Sequence, residues 1–388
     1  MTIDYEIHWM TDAGSPLGVF TPDDFTQLKL AYGDMVIGGL VLTMPRKIRQ
    51  NTNSPKTLSP NDFTSDQLLE VYRIVDGRKK LEGERSWRIR NRSFYERNQQ
   101  DMITLTAYDH IYTLDNAIIA YYADSSYTAK TAEADDMMKE LVYENLGAGC
   151  VKYNSTTTPD TARILTGLTI AADDTLAPSI SKKFAWEKLK VNLDEICLDV
   201  RQQGYWLGYD MVRTAKGTVE FCTYYGQRGS DLTGSNRKVL STEFNNLVNP
   251  VLAFDAENER NYGYITGTGI KDDREIVEVS DTGRINESRW NRREMQVFGA
   301  YLGYDATTDY LTSQGNAALY KYRPKTSLTG EIRENDNFRY GVNFDYGDKM
   351  IAQYLGYMFD VHVNKVIIDV SPGGRQFETL QVMINGEL

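Results

Sequence analysis

The sequence predicts a β-dominated α+β fold, with β-rich regions at both ends of the chain and an α/β piece between them. Apolar and polar residues alternate in both end regions, with the period of two that half-buried strands require. In the middle the apolar residues change to helical spacing. Tyrosine, which favours strands and wet interfaces, outnumbers phenylalanine 26 to 13. A chain of 388 residues exceeds a single core, so we expect three domains: 1–115, 116–238 and 239–388.

The first region, residues 1–115, is predicted to consist of strands. Leu68 to Val75 alternates and is followed by Asp76-Gly77, a strong hairpin-turn signal. Ile103 to Tyr108 alternates in the same way and predicts a half-buried strand. The longest apolar run, Met35 to Met44, contains a glycine pair that predicts a bend, and it is too short to span a bilayer.

The middle region, residues 116–238, is predicted to contain two helices and a hairpin. Glu133 to Leu146 carries its apolar residues on one helical face, and Gly147 ends it. A second helix is predicted from about Lys182 to Gln203, because apolar residues recur at helical spacing from Trp186 onward. Two strands then follow, joined by a turn at 214–217.

The last region, residues 239–388, is predicted to return to strands. Val248 to Phe254 and Tyr262 to Thr266 have the composition of strands, and one helix is expected near 306–322, before Pro324. The final fifty residues alternate and predict a meander with a turn at 371–374.

The charge pattern bears on partners. A formal net charge of −11 disfavours a protein that wraps nucleic acid, although it would suit a wall past which DNA slides. One basic stretch interleaves with aromatic residues: Arg85, Arg88, Arg90, Arg92 and Arg97, with Trp87, Phe94 and Tyr95. Such a stripe can bind single-stranded nucleic acid. We favour the alternative, in which the arginines lie on the solvent face of edge strands and meet acids of a neighbour.

No sequence motif assigns chemistry to this chain. The three histidines are far apart, the three cysteines form no C-x-x-C pair, and phosphate loops, zinc motifs and nucleophile elbows are absent from the sequence. We therefore assign no catalytic, cofactor-binding or metal-ligating residue. The first residues lack a basic and then apolar stretch, so we expect no secretory signal, and free cysteines in a reducing compartment.

Short motifs follow one another in an order that resembles the tail-hub proteins of long-tailed phages, the family that forms the baseplate ring at the tail tip. The motifs are Asp12-Ala13-Gly14-Ser15-Pro16-Leu17, Tyr72-Arg73-Ile74, Trp87-Arg88-Ile89-Arg90, Ala107-Tyr108-Asp109, Lys130-Thr131-Ala132-Glu133-Ala134-Asp135-Asp136-Met137-Met138, Tyr225-Gly226-Gln227-Arg228-Gly229, Phe244-Asn245-Asn246-Leu247, Asn261-Tyr262-Gly263-Tyr264 and Tyr340-Gly341-Val342-Asn343-Phe344-Asp345-Tyr346-Gly347-Asp348.

The resemblance implies two hub β-barrel domains, 1–115 and 239–388, that flank an α/β insert, 116–238. It implies a structural virion protein, not an enzyme, that forms a homotrimeric ring joining a sixfold tail tube to a threefold tip and gating DNA passage. The partners implied are the distal tail protein ring, the tape-measure protein and receptor-binding or central-fibre proteins. DNA would only pass through the lumen, and no stable membrane insertion is implied. The protein would assemble in the host cytoplasm and reside at the virion tail tip.

Two alternatives to the hub remain. The first is a cell-wall-degrading tail lysin, a glycosidase that uses two acids. Many hub relatives carry an added lysin domain, but this sequence ends at Leu388, after the last predicted strand, so we expect no lytic activity. The second is a carbohydrate-binding tip protein in which Tyr and Trp side chains stack on sugars.

Overall fold

The computed structural model describes residues 3–48, 56–121, 125, 128–184, 186–269, 271–298, 307–335, 338–371 and 378–387. Strands dominate both end regions, as the sequence predicts. The first region contains β1 (Ile3–Met10), β2 (Pro16–Phe20), β3 (Gln27–Gly33), β4 (Val36–Pro45), β5 (Lys47–Ile48), β6 (Lys56–Thr57), β7 (Leu68–Val75), β8 (Arg78–Leu81), β9 (Trp87–Arg97) and β10 (Gln100–Tyr108).

The long helices of the described residues lie in the middle and last regions. The short helix α1 (Ile111–Asp115) ends the first region, although its buried Ile111 and Leu114 belong to the core of the insert. The middle region comprises β11 (Thr128–Glu133), α2 (Ala134–Leu146), β12 (Leu168–Ile170), β13 (Ser179–Phe184), α3 (Leu189–Gln202), β14 (Leu207–Ala215) and β15 (Thr218–Tyr225). The last region comprises β16 (Val239–Ser241), β17 (Leu247–Asp255), β18 (Tyr262–Thr266), β19 (Ile276–Ser280), α4 (Thr282–Asn286), β20 (Glu294–Phe298), α5 (Thr308–Lys321), β21 (Lys325–Ile332), β22 (Lys349–Tyr354), β23 (Tyr357–Val370) and β24 (Glu378–Glu387).

The two end regions repeat one strand order. The first region pairs its strands as β1-β7-β9-β10-β4-β3, and the last region pairs its strands as β16-β22-β23-β24-β21-β17. These six strands are numbered along the chain in each region, leaving out β2, β5, β6 and β8 of the first region and β18, β19 and β20 of the last. Both orders then read first, fourth, fifth, sixth, third, second. All of these neighbours are antiparallel except β16 and β22, which are parallel where β1 and β7 are antiparallel. The two end regions therefore share an architecture that no residue-level repeat reveals.

The two copies are joined within the chain. β3 pairs with the second half of β23, from Leu28 opposite Val370 to Gly33 opposite Lys365. Fourteen described strands thus form one sheet, and a single core contains buried residues of both regions, including Leu30, Ile103 and Ile368. The main path of pairing runs from β17 to β2 without closing, and β22 and β16 branch from the first half of β23, so the division into two closed barrels stays a prediction.

The insert has its own core, in which α2 and α3 pack against the sheet β12-β15-β14. The prediction of a helix from Lys182 was wrong at its start. Ser179–Phe184 is β13, paired with β11, and α3 begins at Leu189. Lys182 and Phe184 are both buried, which is the period of two that a strand requires and which the helical pattern of the following residues obscured.

A third, smaller unit, which we call the α5 unit, lies between β17 and β21 in the chain. Its sheet, β19-β18-β20, is covered by α5, which occupies the stretch where the sequence predicts a helix. The core consists of Ile265, Val279 and Leu311. Gly315 allows the close packing, since a Cβ there would lie 2.7 Å from side-chain atoms of both Ile265 and Val279. Within the described residues, no helix is long and apolar enough to cross a bilayer.

Candidate functional site

Buried charged groups are concentrated where the first region, the insert and the last region meet. We call this cluster the polar junction. Its members are the buried or half-buried Asp34, Arg85, Asp109, Asp210, Arg228 and Tyr346, with Glu84 at its exposed rim. A polar cleft of about 330 Å³, lined in part by Glu84 and Arg228, leads from the junction to solvent.

Arg85 is the centre of the polar junction. Its side chain is 1% exposed, and it donates from Nη1 to Asp109 at 2.5 Å and from Nη2 to Asp210 at 2.9 Å. Asp109 follows β10 of the first region, whereas Asp210 lies on β14 of the insert. Burial opposes the charge of the Arg85 guanidinium, but the carboxylates of Asp210 and Asp109 outweigh it and raise the pKa. A single side chain therefore ties two regions together through charge-assisted hydrogen bonds.

Arg228 adds the last region to the junction. Its Nε donates to Asp210 at 3.1 Å, and its guanidinium lies 4.6 Å from the ring centroid of Tyr346. The Tyr346 hydroxyl in turn donates to Asp34 at 2.9 Å. The backbone is joined at the same place, because the amide of Gly229 donates to the carbonyl of Gly347 at 2.9 Å.

The charges of the junction do not balance. Three buried or half-buried carboxylates, those of Asp34, Asp109 and Asp210, face the guanidinium groups of Arg85 and Arg228, and Arg228 also pairs with the exposed Glu84 at 3.1 Å. Burial raises the pKa of both Asp34 and Asp109 to about 6, and the neighbouring Asp210 charge adds to the effect. The junction therefore takes up protons in mildly acidic solution.

A second buried cluster lies beside the first. Glu82 accepts hydrogen bonds from the hydroxyls of Tyr32 and Tyr340, the latter at 2.9 Å. Arg73 donates to the backbone carbonyl of Tyr340 at 3.1 Å. Burial raises the pKa of Glu82 and keeps the pKa of both tyrosines well above the ordinary value. This cluster joins the first region to the loop before β22.

The insert also contacts the first region through two turns. The Gly14 turn between β1 and β2 rests on the Gly217 turn between β14 and β15, and a Cβ at either glycine would lie 2.4 Å from backbone atoms of the other turn. Both glycines have positive φ, of 84° and 74°. Nearby, Arg213 donates twice to the fully buried carboxylate of Glu70, at 2.7 and 3.2 Å. The insert is therefore held at several points.

The basic stretch of the sequence divides between the interior and the surface. Arg85 and Trp87 are buried, and Arg90 forms an ion pair with Asp66 at 2.7 Å. Arg92 and Arg97 are exposed on the second half of β9. The structure does not assemble these residues into one continuous basic and aromatic stripe.

A serine–histidine contact in the described part of the chain has the wrong polarity for catalysis. The Ser86 hydroxyl lies 2.8 Å from Nε2 of His110, and both residues are buried. Arg88 donates to Nδ1 of His110 at 3.2 Å, so the ring proton of the neutral imidazole lies on Nε2. Burial lowers the pKa of His110 to about 3, so the ring stays neutral. Nε2 then has no free lone pair to accept the serine proton.

Other chemistry is equally undeveloped in the described part of the chain. No group of three or more His, Cys, Asp or Glu side chains there could hold a metal ion. Cys150, Cys197 and Cys222 are free, and burial raises the pKa of the last two thiols to about 12. Arg292 forms an ion pair with Glu294, at 2.7 Å.

Several motif residues that carry the resemblance are brought together by the fold. Arg73, Asp109, Arg228 and Tyr346 all lie in the two buried clusters, although their motifs are spread over the chain. Sequence reasoning did not identify Asp34, Glu82 or Asp210 as members. The available signal was weak: each is a lone acid beside a strand residue, with no spacing that distinguishes it from a solvated acid.

Residues 67–382 match the model of the family described as Siphovirus ReqiPepy6 Gp37-like protein. The chain belongs to this family. No curated protein matches the chain.

Solved structures with the same fold include two tail proteins. The tail protein from Neisseria meningitidis MC58 aligns at 12% identity and a TM-score of 0.54, over 99% of this chain and 96% of that chain. The 43 kDa tail protein of prophage MuSo2 from Shewanella oneidensis aligns at 10% identity and a TM-score of 0.53, over 98% of this chain and 97% of that one. A chain of the lidded Francisella PdpA–VgrG complex aligns at 10% identity and a TM-score of 0.50, over 100% of this chain but 53% of its own. With the family, these folds support a structural phage tail protein.

Proposed function

We propose that this protein is a tail-tip hub that assembles as a homotrimeric ring. The ring would join the sixfold tail tube to a threefold tip and gate the passage of DNA. Its expected neighbours are the distal tail protein ring, the tape-measure protein and receptor-binding or central-fibre proteins. It would be assembled in the host cytoplasm and would reside at the tail tip of the virion.

The repeated strand order is the observation that carries this proposal. Each chain contains two β units of the same order, so three chains supply six similar units around an axis. A sixfold partner could then bind six similar surfaces on one side, while three inserts and three small α5 units retain threefold symmetry. This arrangement converts one symmetry into the other without a second kind of subunit.

The way in which the two units meet within one chain predicts how chains meet one another. Inside the chain, β3 of the first unit pairs with the second half of β23 in the last unit. In the shared numbering, β3 is the second strand of its unit and β23 is the fifth strand of the other. The equivalent strands are β17, the second strand of the last unit, and β9, the fifth strand of the first. No described strand pairs with the outer edge of β17, or with β9 beyond Ile89 on the side away from β10. We infer that β17 of one subunit pairs with β9 of the next, which repeats the internal contact and closes a ring.

The side chains at these two edges are complementary. β9 beyond Ile89 presents the exposed Arg92 and Arg97, whereas β17 ends at the exposed Asp255. Apolar side chains are also available, since Phe254 is 64% exposed and Tyr95 is 40% exposed. Opposite charges and exposed aromatic residues at two free strand edges favour a protein interface. In this proposed interface, the exposed arginines of β9 would meet an acid of the neighbouring subunit, which is the arrangement that we favour for the basic stretch.

Light scattering coupled to size exclusion tests the interface directly. The wild-type chain should have three times the 44.2 kDa chain mass, and Phe254→Asp should shift the mass to that of one chain. The matched control is Phe298→Asp, because Phe298 is 66% exposed but lies on β20, away from the proposed interface. A monomeric wild type, or equal effects of the two variants, would contradict the proposal.

The family and the shared fold favour a structural role over an enzymatic one. Zymography on cell-wall substrate separates the two, because a glycosidase of the two-acid class would clear the substrate. We expect no cleared band from the purified chain at any pH at which it remains folded.

A further inference from the structure

The insert carries an open cleft of about 440 Å³ that the hub role does not use. It lies between the segment after α1, the C-terminal end of α2 and the loop before α3. Its lining combines exposed apolar side chains with polar groups. The described lining residues are Asn116, Ala117, Ile118, Ala120, Asn145, Leu146, Tyr153, Asp160, Arg163 and Trp186.

Trp186 forms an aromatic platform in this cleft. The residue has a φ of 50°, a left-handed conformation that is unfavourable for a bulky side chain, and its side chain is 50% exposed. Tyr121 supports the indole with a centroid separation of 5.0 Å. Backbone strain that leaves a large apolar ring in solvent is a feature of binding sites.

The loop that carries the platform is fixed before any ligand arrives. The amide of Ile119 donates to the carbonyl of Glu187 at 2.9 Å, and the amide of Leu189 donates to the carbonyl of Ala117 at 2.9 Å. A second exposed aromatic residue, Tyr153, is 59% exposed on the lining of the same cleft. A loop that already holds its binding conformation loses less conformational entropy when a ligand binds.

The polar groups of the cleft are anchored but retain free hydrogen-bonding capacity. Arg163 donates from Nη2 to the carbonyl of Ile118 at 2.7 Å and to Oδ1 of the buried Asn145 at 3.1 Å. Within the described part of the chain, Nε and Nη1 of Arg163 and the carboxylate of Asp160 have no hydrogen-bonding or ion-pair partner. The cleft therefore offers donors and an acceptor beside the aromatic rings.

We propose that this cleft binds a pyranose unit of a polysaccharide. A pyranose has an apolar C–H face that can pack on Trp186, and its hydroxyl groups can both donate to Asp160 and accept from Arg163. An apolar peptide segment fits less well, because it would desolvate the Asp160 carboxylate and the free Arg163 donors without replacing their hydrogen bonds. Asp160 is the single acid among the described lining residues, so the cleft binds sugar without the acid pair that hydrolysis requires.

Saturation-transfer NMR with the full-length protein tests this site. The probes are chitohexaose, maltohexaose and mannopentaose, each at up to about 10 mM, a concentration that saturates even a weak single-platform site. At least one probe should show saturation transfer. Trp186→Ala should weaken its binding about five- to tenfold, the range expected for one aromatic contact, and Asp160→Asn should weaken it without altering the fold. The control is Trp290→Ala, because Trp290 is 78% exposed on the α5 unit.

Three results would overturn the proposal. One is that no probe binds, and another is that Trp186→Ala and Asp160→Asn bind as the wild type does. The third is that a Leu- and Trp-rich peptide, and none of the sugars, binds at the cleft, which would assign it to a protein partner. Each result is independent of the ring, whose assembly is measured separately by light scattering.

Discussion

Arg85 is the residue on which the polar junction depends most. Arg85→Ala should lower the free energy of unfolding by about 3–5 kcal/mol, because Asp109 and Asp210 would remain buried without their cation. Arg237→Ala, at an exposed arginine outside the two strands proposed to pair between subunits, is the control and should cost less than about 0.5 kcal/mol. Urea denaturation of both variants measures the difference. Equal costs would mean that the buried ion pairs do not stabilise the fold.

Asp34 should make the free energy of unfolding depend on pH. Its pKa is raised to about 6 from an ordinary value of 3.8, so the native state binds the proton more tightly than the unfolded chain does. Its contribution to stability therefore falls as pH rises from about 4 to 6. Asp34→Asn keeps an acceptor for Tyr346 and removes the buried charge. The variant should match the wild type near pH 4 and be more stable by about 1–2 kcal/mol near pH 7.5.

Chemical denaturation at the two pH values checks the Asp34 prediction. The expected gain of about 1–2 kcal/mol is smaller than the full shift of the Asp34 pKa would give, because the Asp34 side chain is only half-buried. Asp23→Asn, at an exposed carboxylate, is the control: it retains Asp34 and should therefore keep the dependence of stability on pH that the wild type shows. A benefit of Asp34→Asn that is the same at both values would exclude burial of the charge as its cause.

For individual residues, the sequence predicted the free cysteines but not which charged side chains are buried. Arg85 and Arg97 belong to one basic stretch, and both follow polar neighbours. What separates them is the arrival of Asp210, which lies 125 positions further along the chain than Arg85. No local pattern of the first region encodes that contact.

The elements that orient the insert include the two glycine turns. Gly217→Ala would place a methyl group against the backbone of Ala13 in a turn with φ of 74°. We expect a loss of about 2–3 kcal/mol, part from the left-handed conformation and part from the contact.

Gly204→Ala separates these two causes. Gly204 has φ of 83°, but a Cβ there would meet nothing within 4 Å. The control should therefore lose only the conformational part, about 1–2 kcal/mol. Thermal unfolding of both variants measures the difference, and equal losses would show that the turn contact contributes no stability.

Periodicity predicted most elements of this protein but failed where a neighbour decides the local structure. The helices at 133–146 and 306–322 and the hairpin at Asp76-Gly77 follow local signals, and the structure contains all three. The glycine pair in the run from Met35 to Met44 was expected to bend the strand, yet β4 continues through it. Gly38 instead makes room, since a Cβ there would lie 2.7 Å from Oδ2 of Asp109. The sequence shows the glycine but not the carboxylate that it accommodates.

For the whole molecule, the sequence predicted two β regions around an insert but not how they join. The pairing of β3 with β23 brings together residues as distant as Gln27 and Asp369, which are 342 positions apart. No periodic signal in the sequence predicts such a pairing. The repeated strand order was equally hidden, because the two copies share no residue-level repeat. The α5 unit, inserted between two strands of the second copy, obscures the spacing further.

The net charge has a consequence for the assembled ring. With −11 per chain, a trimer would repel DNA along its surface, which lowers the friction of a passing genome and opposes its binding. Salt would weaken the contacts between subunits, where the exposed arginines of β9 would meet Asp255 of β17, but would leave the buried polar junction intact.

Electron microscopy of the purified chain would show the number and arrangement of the β units and so tests the proposed ring. We expect class averages of a closed ring with six similar β units around a lumen and three projecting inserts. Averages that show isolated single chains, an open filament, or a ring in which the two β units of one chain do not occupy equivalent positions would contradict it.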